Sequence, residues 1–325
     1  ETIAKHTAAD PKLARRAAEL SKSDLVTDMV GEFDDLQGTM GRDYALNDGE
    51  PKEVAEALFE QYLPRFAGDQ VPATSTGTAL ALADRLDSLV GIFSIGQQPS
   101  GSRDPFALRR ASLGVLRIMI ERKIDLDLRL AINAAAAPFE LGNEGDLSSD
   151  KVSKQVLTYI IDRFKSWYRD EGMAAEVFMA VTALDLSNPL DINARVQAVN
   201  QFSQLPEAVA LAAANKRVAN ILAKQLGDSV PAAVQSELLQ DPAEQALASV
   251  IASLTQDIEP LVQQRDYSGI LQKLAQLREP VDGFFDQVMV MADDQAIRDN
   301  RLALLFSLRQ LFINVADISQ LAPSK

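Results

Sequence analysis

Asp84 and Asp87 stand three positions apart, so a helix carrying them presents both carboxylates on one face. Paired carboxylates are a donor set that suits a hard cation such as Mg²⁺. The other partners of such chemistry are scarce. The chain has no cysteine and a single histidine, His6. A disulfide, a thiolate metal site and a histidine-cluster metal centre within this chain are therefore excluded. A Ser–His–Asp triad would have to draw on His6. The structural alternative makes Asp84 a cap, or the partner of a nearby arginine such as Arg85 or Arg42, and the shortage of imidazole favours that alternative.

Two basic clusters are the other residues with chemistry to offer. Between Gly101 and Lys123 the chain carries Arg103, Arg109, Arg110, Arg117, Arg122 and Lys123 against only Asp104 and Glu121. Arg110 and Arg117 are seven apart and share a helical face, with Arg109 turned about 100° away. An arginine-lined helix opening from a Gly/Ser loop can hold phosphates through guanidinium forks and free backbone N–H groups. The same arginines can instead pair with acidic faces of neighbouring helices, and the types alone leave both open. In the second cluster Lys216, Asn220 and Lys224 recur every four residues with Arg217 beside them, and no acid lies between Glu207 and Asp228. An asparagine flanked by cations can bond a base edge while its neighbours hold the backbone; a solvated helix face is the plain alternative. Phe284, Phe285, Met289 and Met291 suit a helical core better than base stacking, and Trp167 belongs to an apolar stripe.

The elements that must position these residues are helices. Apolar residues recur at three and four positions, without the Val/Ile/Thr alternation of strands, so the expected fold class is all-α. Helices are expected within Leu13–Phe33, over Glu53–Tyr62, from Thr76 or Thr78 to a stop at Gly96, and from Asp104-Pro105 to about Lys123. Gly38, Gly41 and Asn47-Asp48-Gly49 read as breaks, and Leu141–Asp150 as a linker. Val152, Val156, Tyr159, Ile160, Phe164 and Trp167 form one stripe. Further helices run from about Ile192, from Glu207 to Leu226 and from Asp241-Pro242-Ala243-Glu244, which has the order of a capping box; the last long helix carries Ile297 to Val315.

At 325 residues the chain can hold two or three cores, and 47% apolar with 24% charged residues is an ordinary globular balance. No apolar run approaches the roughly 20 residues of a membrane span. The sequence starts at Glu1 without a signal-peptide pattern, and the expectation is a fragment of a cytosolic protein. A net charge of −14 makes the chain a poor generic nucleic-acid binder, so any such surface has to be local.

The string LADRLDSLVGIFSIGQQPSGSRDPFALRRASLGVLR, Leu82 to Arg117, resembles the signature region of the glycyl-tRNA synthetase β-subunit family. LVTDMVGEFDDLQGTMGRDYA (Leu25–Ala45), YLPRFAGDQVP (Tyr62–Pro72) and VDGFFDQVMVMADDQAIRDNRLALL (Val281–Leu305) fit the same family in order. The resemblance implies a carboxy-terminal portion of such a subunit. It would contain a degenerate HD-phosphohydrolase-like module (1–96), a helical connector with the basic loop and helix (97–204), and an anticodon-binding module (205–325) of the type found in arginyl-tRNA synthetases.

The implied role is to position tRNA(Gly) for ATP-dependent glycylation at the active site of an α subunit, in an α2β2 assembly in the cytoplasm and away from membranes. The resemblance implies no catalytic residue and no cofactor in this chain, ATP and Mg²⁺ being used by α. It makes Arg103, Arg109, Arg110, Arg117, Lys216, Arg217, Asn220 and Lys224 candidates for tRNA contact. Arg301 joins them, although Asn300-Arg301 can equally be structural. Asp24, Asp84 and Asp87 become remnants of the HD site, whose histidines are missing. An HD-type metal-dependent phosphohydrolase and a subunit scaffold that touches no RNA are the rival readings.

Overall fold

The computed structural model describes residues 1–139, 141, 148–227 and 229–322, and their regular structure is helical, with one isolated two-residue bridge, Ser100 to Arg103. The linker-like stretch expected at Leu141–Asp150 falls largely outside the described residues, although a helix has begun by Ser149. Among the described residues no helix is long and apolar enough to cross a membrane. Backbone contacts divide the chain into two units: residues Glu1–Ser166 with Ser187–Leu190, and Trp167–Leu186 with Asp191–Lys325.

In the first unit the helices are α1 (Ala4–Thr7), α2 (Pro11–Glu19), α3 (Asp28–Glu32), α4 (Thr39–Asn47), α5 (Lys52–Glu60), α6 (Ser75–Ser94), α7 (Leu108–Glu121), α8 (Leu128–Ala136) and α9 (Ser149–Ile161). The unit is built around α6, which packs against α1, α2, α5, α7, α8 and α9. Leu82, Leu86, Leu89 and Val90 are buried to within 1%, and a leucine removed from water in this way contributes roughly 1.5–3 kcal/mol. Burial reaches beyond any single helical face, because neighbours surround α6, although Ala83 is exposed.

The start of α6 is one residue pair earlier than the sequence suggests. Thr74, not Thr76 or Thr78, is the N-cap, its hydroxyl accepting the Gly77 N–H at 3.0 Å. The buried Glu60 carboxylate closes the same end, accepting the N–H groups of Ala73 at 2.7 Å and Thr74 at 3.1 Å. A Cβ at position 77 would lie 1.9 Å from the Glu60 carboxylate, so the site requires glycine. Gly41, expected as a break, lies inside α4, where its bare Cα faces Asp24. Asp104 does cap α7, accepting Leu108 N–H at 2.8 Å and Arg109 N–H at 2.9 Å, but Pro105 sits in the turn before the helix and not in its first turn.

The division between the units falls within α10 (Arg163–Asp170). A turn at Asp162 separates it from α9, and this shifts the expected stripe: Tyr168 is 2% exposed, whereas Trp167 is half-buried and donates to Glu171. The second unit continues with α11 (Ala175–Thr182), α12 (Pro189–Ser203), α13 (Ala208–Leu226), α14 (Pro242–Gln263), α15 (Tyr267–Leu274), α16 (Arg278–Gln287) and α17 (Gln295–Ile313). The capping box at Asp241–Glu244 forms as its spacing requires. Helix α13 packs against α16, α17 and the C-terminal turn Ile318–Leu321.

Candidate functional site

The arginines of the first cluster separate into exposed and committed groups. Arg103 lies in a tight turn, its backbone N–H bonding the Ser100 carbonyl at 2.9 Å, with its side chain exposed. Arg109 folds back on the same turn and donates to the carbonyls of Gly101 and Ser102, which fixes the loop to the helix. Arg110 is exposed on the first turn of α7 and makes no hydrogen bond or ion pair among the described residues. Arg117 is internal: its Nε reaches Glu121 at 2.8 Å and its Nη2 the Asp69 carbonyl at 2.7 Å. Arg122 similarly holds the Ala73 carbonyl at 2.7 Å. Arg117 and Arg122 are thus committed within the protein, through main-chain carbonyls and, for Arg117, Glu121 of its own helix and not the acidic face of a neighbour, and the exposed end of the cluster is Arg103 and Arg110.

Two of the three aspartates of the suspected HD remnant, Asp24 and Asp84, are occupied by protein groups. Asp24 is 2% exposed and accepts the Gly38 N–H at 2.6 Å and the Tyr62 hydroxyl at 3.0 Å. Asp84 pairs with Lys22, a partner that sequence did not suggest in place of Arg85 or Arg42. Burial raises the Asp87 carboxyl above its ordinary range, the Asp84 charge adds to the rise, and Lys22 opposes it. Arg42 instead pairs with Asp43 and lies over the Phe59 ring. The ring of His6 meets the Asp125 carbonyl at 3.0 Å.

In the second unit α13 brings Lys216 and Asn220 of its cluster, but not Arg217 or Lys224, to a concavity of about 570 Å³. Lys216 and Asn220 line it together with Phe306, Arg309 and Gln310 of α17, Met179 of α11 and the C-terminal turn. Asn220 and Lys224 are exposed, and Lys216 is half-buried with its Nζ donating to the Ala322 carbonyl at 3.2 Å. Arg217 is exposed and covers the Phe285 ring at 4.2 Å. Arg309 grips Asp317 through two bonds of 3.1 and 2.7 Å. Burial pushes the Asp317 carboxyl up, yet Arg309 and Ser319 outweigh it and hold the group below its ordinary value. The arrangement sets an exposed amide and a half-exposed aromatic ring beside two cations that the protein already holds, Lys216 by the Ala322 carbonyl and Arg309 by Asp317.

Phe306, Arg309 and Gln310 were not among the sequence candidates. Their signal was available: the apolar stripe of the last helix uses positions 304, 305, 308, 311 and 312, which leaves 306, 309 and 310 together on the other face. Arg301 does not join this surface. It pairs with the fully buried Glu244 and donates to the Met289 carbonyl at 2.7 Å. Asn300 is likewise internal, its side chain bonding both backbone groups of Gln235. Phe284 is fully buried, as a core residue should be, but Met289 is 73% and Met291 44% exposed, against expectation.

Residues 1–183 match the family described as "Glycyl-tRNA synthetase beta subunit", and residues 211–322 match the "DALR anticodon binding domain". Among curated proteins, the "Glycine--tRNA ligase beta subunit" of Marinobacter nauticus is 57% identical over 319 residues, covering 98% of this chain and 45% of that protein. The protein of the same name in Pseudomonas aeruginosa is 53% identical over 98% of this chain and 46% of its own length. That of Haemophilus influenzae is 51% identical with the same coverage. The chain thus spans about half the length of the curated relatives it matches. The stretch matched by the first family exceeds half of the chain, the resemblance carried by Leu82–Arg117 lies inside it, and the chain belongs to the glycyl-tRNA synthetase β-subunit family.

Proposed function

We propose that this chain is a tRNA-handling part of a glycyl-tRNA synthetase β subunit. It would hold tRNA(Gly) while glycine is esterified to it, with ATP and Mg²⁺, at the active site of an α subunit in a cytoplasmic α2β2 assembly. The observation that carries the reading is the gathering of Lys216, Asn220 and Phe306 around one concavity, in the segment that matches an anticodon-binding domain. Asn220 would read a base edge, Phe306 would stack, and Lys216, Arg217 and Lys224 would hold phosphates. Arg103 and Arg110 supply a second, sequence-blind contact to the backbone, fixed in place by the Arg109-pinned turn. No residue here is assigned a catalytic role.

The reading is tested by two variants and two RNAs at one salt concentration. Asn220→Ala is expected to reduce the preference for tRNA(Gly) over an anticodon-swapped tRNA by roughly 1–3 kcal/mol, the worth of a base-edge contact. Lys224→Ala is expected to weaken both RNAs equally and to reduce the slope of log affinity against log salt by about one unit. Unchanged binding in both variants contradicts the assignment of this surface.

A further inference from the structure

The groups that line the concavity of the second unit differ in how freely they choose a hydrogen-bonding partner. The exposed amides of Asn220, Gln310 and Gln320 each hold donors and an acceptor, and a turn of the amide lets them meet an amine or a carbonyl alike. Cations and carboxylates have a fixed sense. Lys216 and Arg309 are fixed donors and both are engaged, by the Ala322 carbonyl and by Asp317. Asp317 is a fixed acceptor and is filled. Arg309 reaches both of its oxygens, and Ser319 gives one of them its N–H at 3.2 Å and its hydroxyl at 2.6 Å.

Glu176 is the exception. It lines the same concavity from the first turn of α11, is exposed, and makes no hydrogen bond or ion pair among the described residues. Met179, 47% exposed and also in the lining, stands three positions further on and so shares its helical face. A free carboxylate repels the phosphates of any RNA brought to this surface, unless a hydrogen of the RNA meets it. Ribose hydroxyls and base amines supply such hydrogens. The hydroxyls are the same in every nucleotide, whereas the amines tell one base from another.

We propose that Glu176 selects cytosine over uracil in the anticodon of the bound tRNA. The two pyrimidines share one outline and differ where cytosine carries the N4 amine and uracil the O4 carbonyl. The amine donates to the Glu176 carboxylate with the ring against Met179, and the carbonyl would set oxygen against oxygen. Asn220 cannot make this distinction, because its amide turns to suit either. Cytosine is the base at issue because glycine codons open on a pair of guanines, which places adjacent cytosines in the anticodon of tRNA(Gly). The inference rests on the reading of the Lys216–Asn220 surface as the anticodon site and deepens it.

The test measures binding of tRNA(Gly), and of variants with either of these cytosines replaced by uracil, to the whole chain and to Glu176→Gln at one salt concentration. The parent is expected to prefer tRNA(Gly) to one of the uracil variants by about tenfold, within the range of a base-edge contact. In Glu176→Gln the side chain accepts from N4 or donates to O4, so that preference should fall close to one. The uracil-bearing tRNA thus gains on tRNA(Gly), a change of ratio that a loss of folding, followed by thermal melt, does not produce. Removal of a negative charge raises the affinity of every RNA, so the ratio is the readout. A parent that prefers tRNA(Gly) to an anticodon-swapped tRNA, yet keeps its cytosine preference in Glu176→Gln or has none to lose, overturns this inference and leaves the anticodon reading standing. A parent that binds all of these RNAs equally overturns both.

Discussion

Arg85→Met is expected to destabilise the first unit by roughly 3–5 kcal/mol, because one guanidinium supplies the hydrogen bonds of an entire turn. Its Nη1 donates to the carbonyls of Gln61 at 3.0 Å and Ala81 at 2.9 Å. Its Nη2 donates to those of Tyr62 at 3.3 Å, Leu63 at 2.7 Å and Pro64 at 3.2 Å. Burial pushes the group down to about 10, with the Asp84 charge opposing the fall, so it remains protonated at neutral pH. Methionine fills the space but returns nothing to the carbonyls. Lysine is expected to rescue only in part, since a point ammonium cannot span acceptors arranged for a planar fork. Room for the fork is made by Gly114 of α7, where a Cβ would stand 2.6 Å from Arg85 Nε. Denaturant unfolding followed by circular dichroism checks the prediction, and a transition that coincides with the parent's contradicts it.

The second large effect is expected at Arg301 in the other unit. Glu244 is 0% exposed, and its carboxylate accepts the Gln240 N–H at 2.9 Å while pairing with Arg301. Arg301→Met would leave that charge buried without its counter-ion, at a cost of about 3–5 kcal/mol. Adding Glu244→Gln removes the charge and keeps an acceptor for the helix cap, so the double variant is expected to recover most of the loss. Trp167 is the only tryptophan and lies in the second unit, so its fluorescence follows this unfolding directly. A single variant of parental stability that binds tRNA less well would return Arg301 to the RNA surface.

These two arginines show where sequence reading reached its limit. The Asp241–Glu244 capping box was legible because every contact in it lies within four residues, and the all-α class because its periodicity repeats along the whole chain. The reach of Glu244 to Arg301 was not legible: the partners are 57 residues apart and only packing selects them. Arg117 and Arg110 share a helix face and identical chemistry, yet Arg117 meets the Asp69 carbonyl and Arg110 makes no hydrogen bond or ion pair among the described residues, a difference set by Asp69 lying beside Arg117. Thr74 was passed over because the Glu60 carboxylate that stabilises that helix end comes from the preceding helix. For the candidate surface, the α13 half was visible as an acid-free run with a four-residue repeat. Its α17 half was legible only as residues 306, 309 and 310 left together off the apolar stripe; that this face meets Lys216 and Asn220 is set by packing.

Footprinting of tRNA(Gly) bound to the chain tests the central claim most directly. The account predicts protection of anticodon-loop nucleotides that is lost in Asn220→Ala, together with protection of a separate backbone stretch that is lost in Arg110→Glu. A tRNA left uniformly open to cleavage at concentrations that saturate the parent assembly, or protection that neither variant changes, would contradict it.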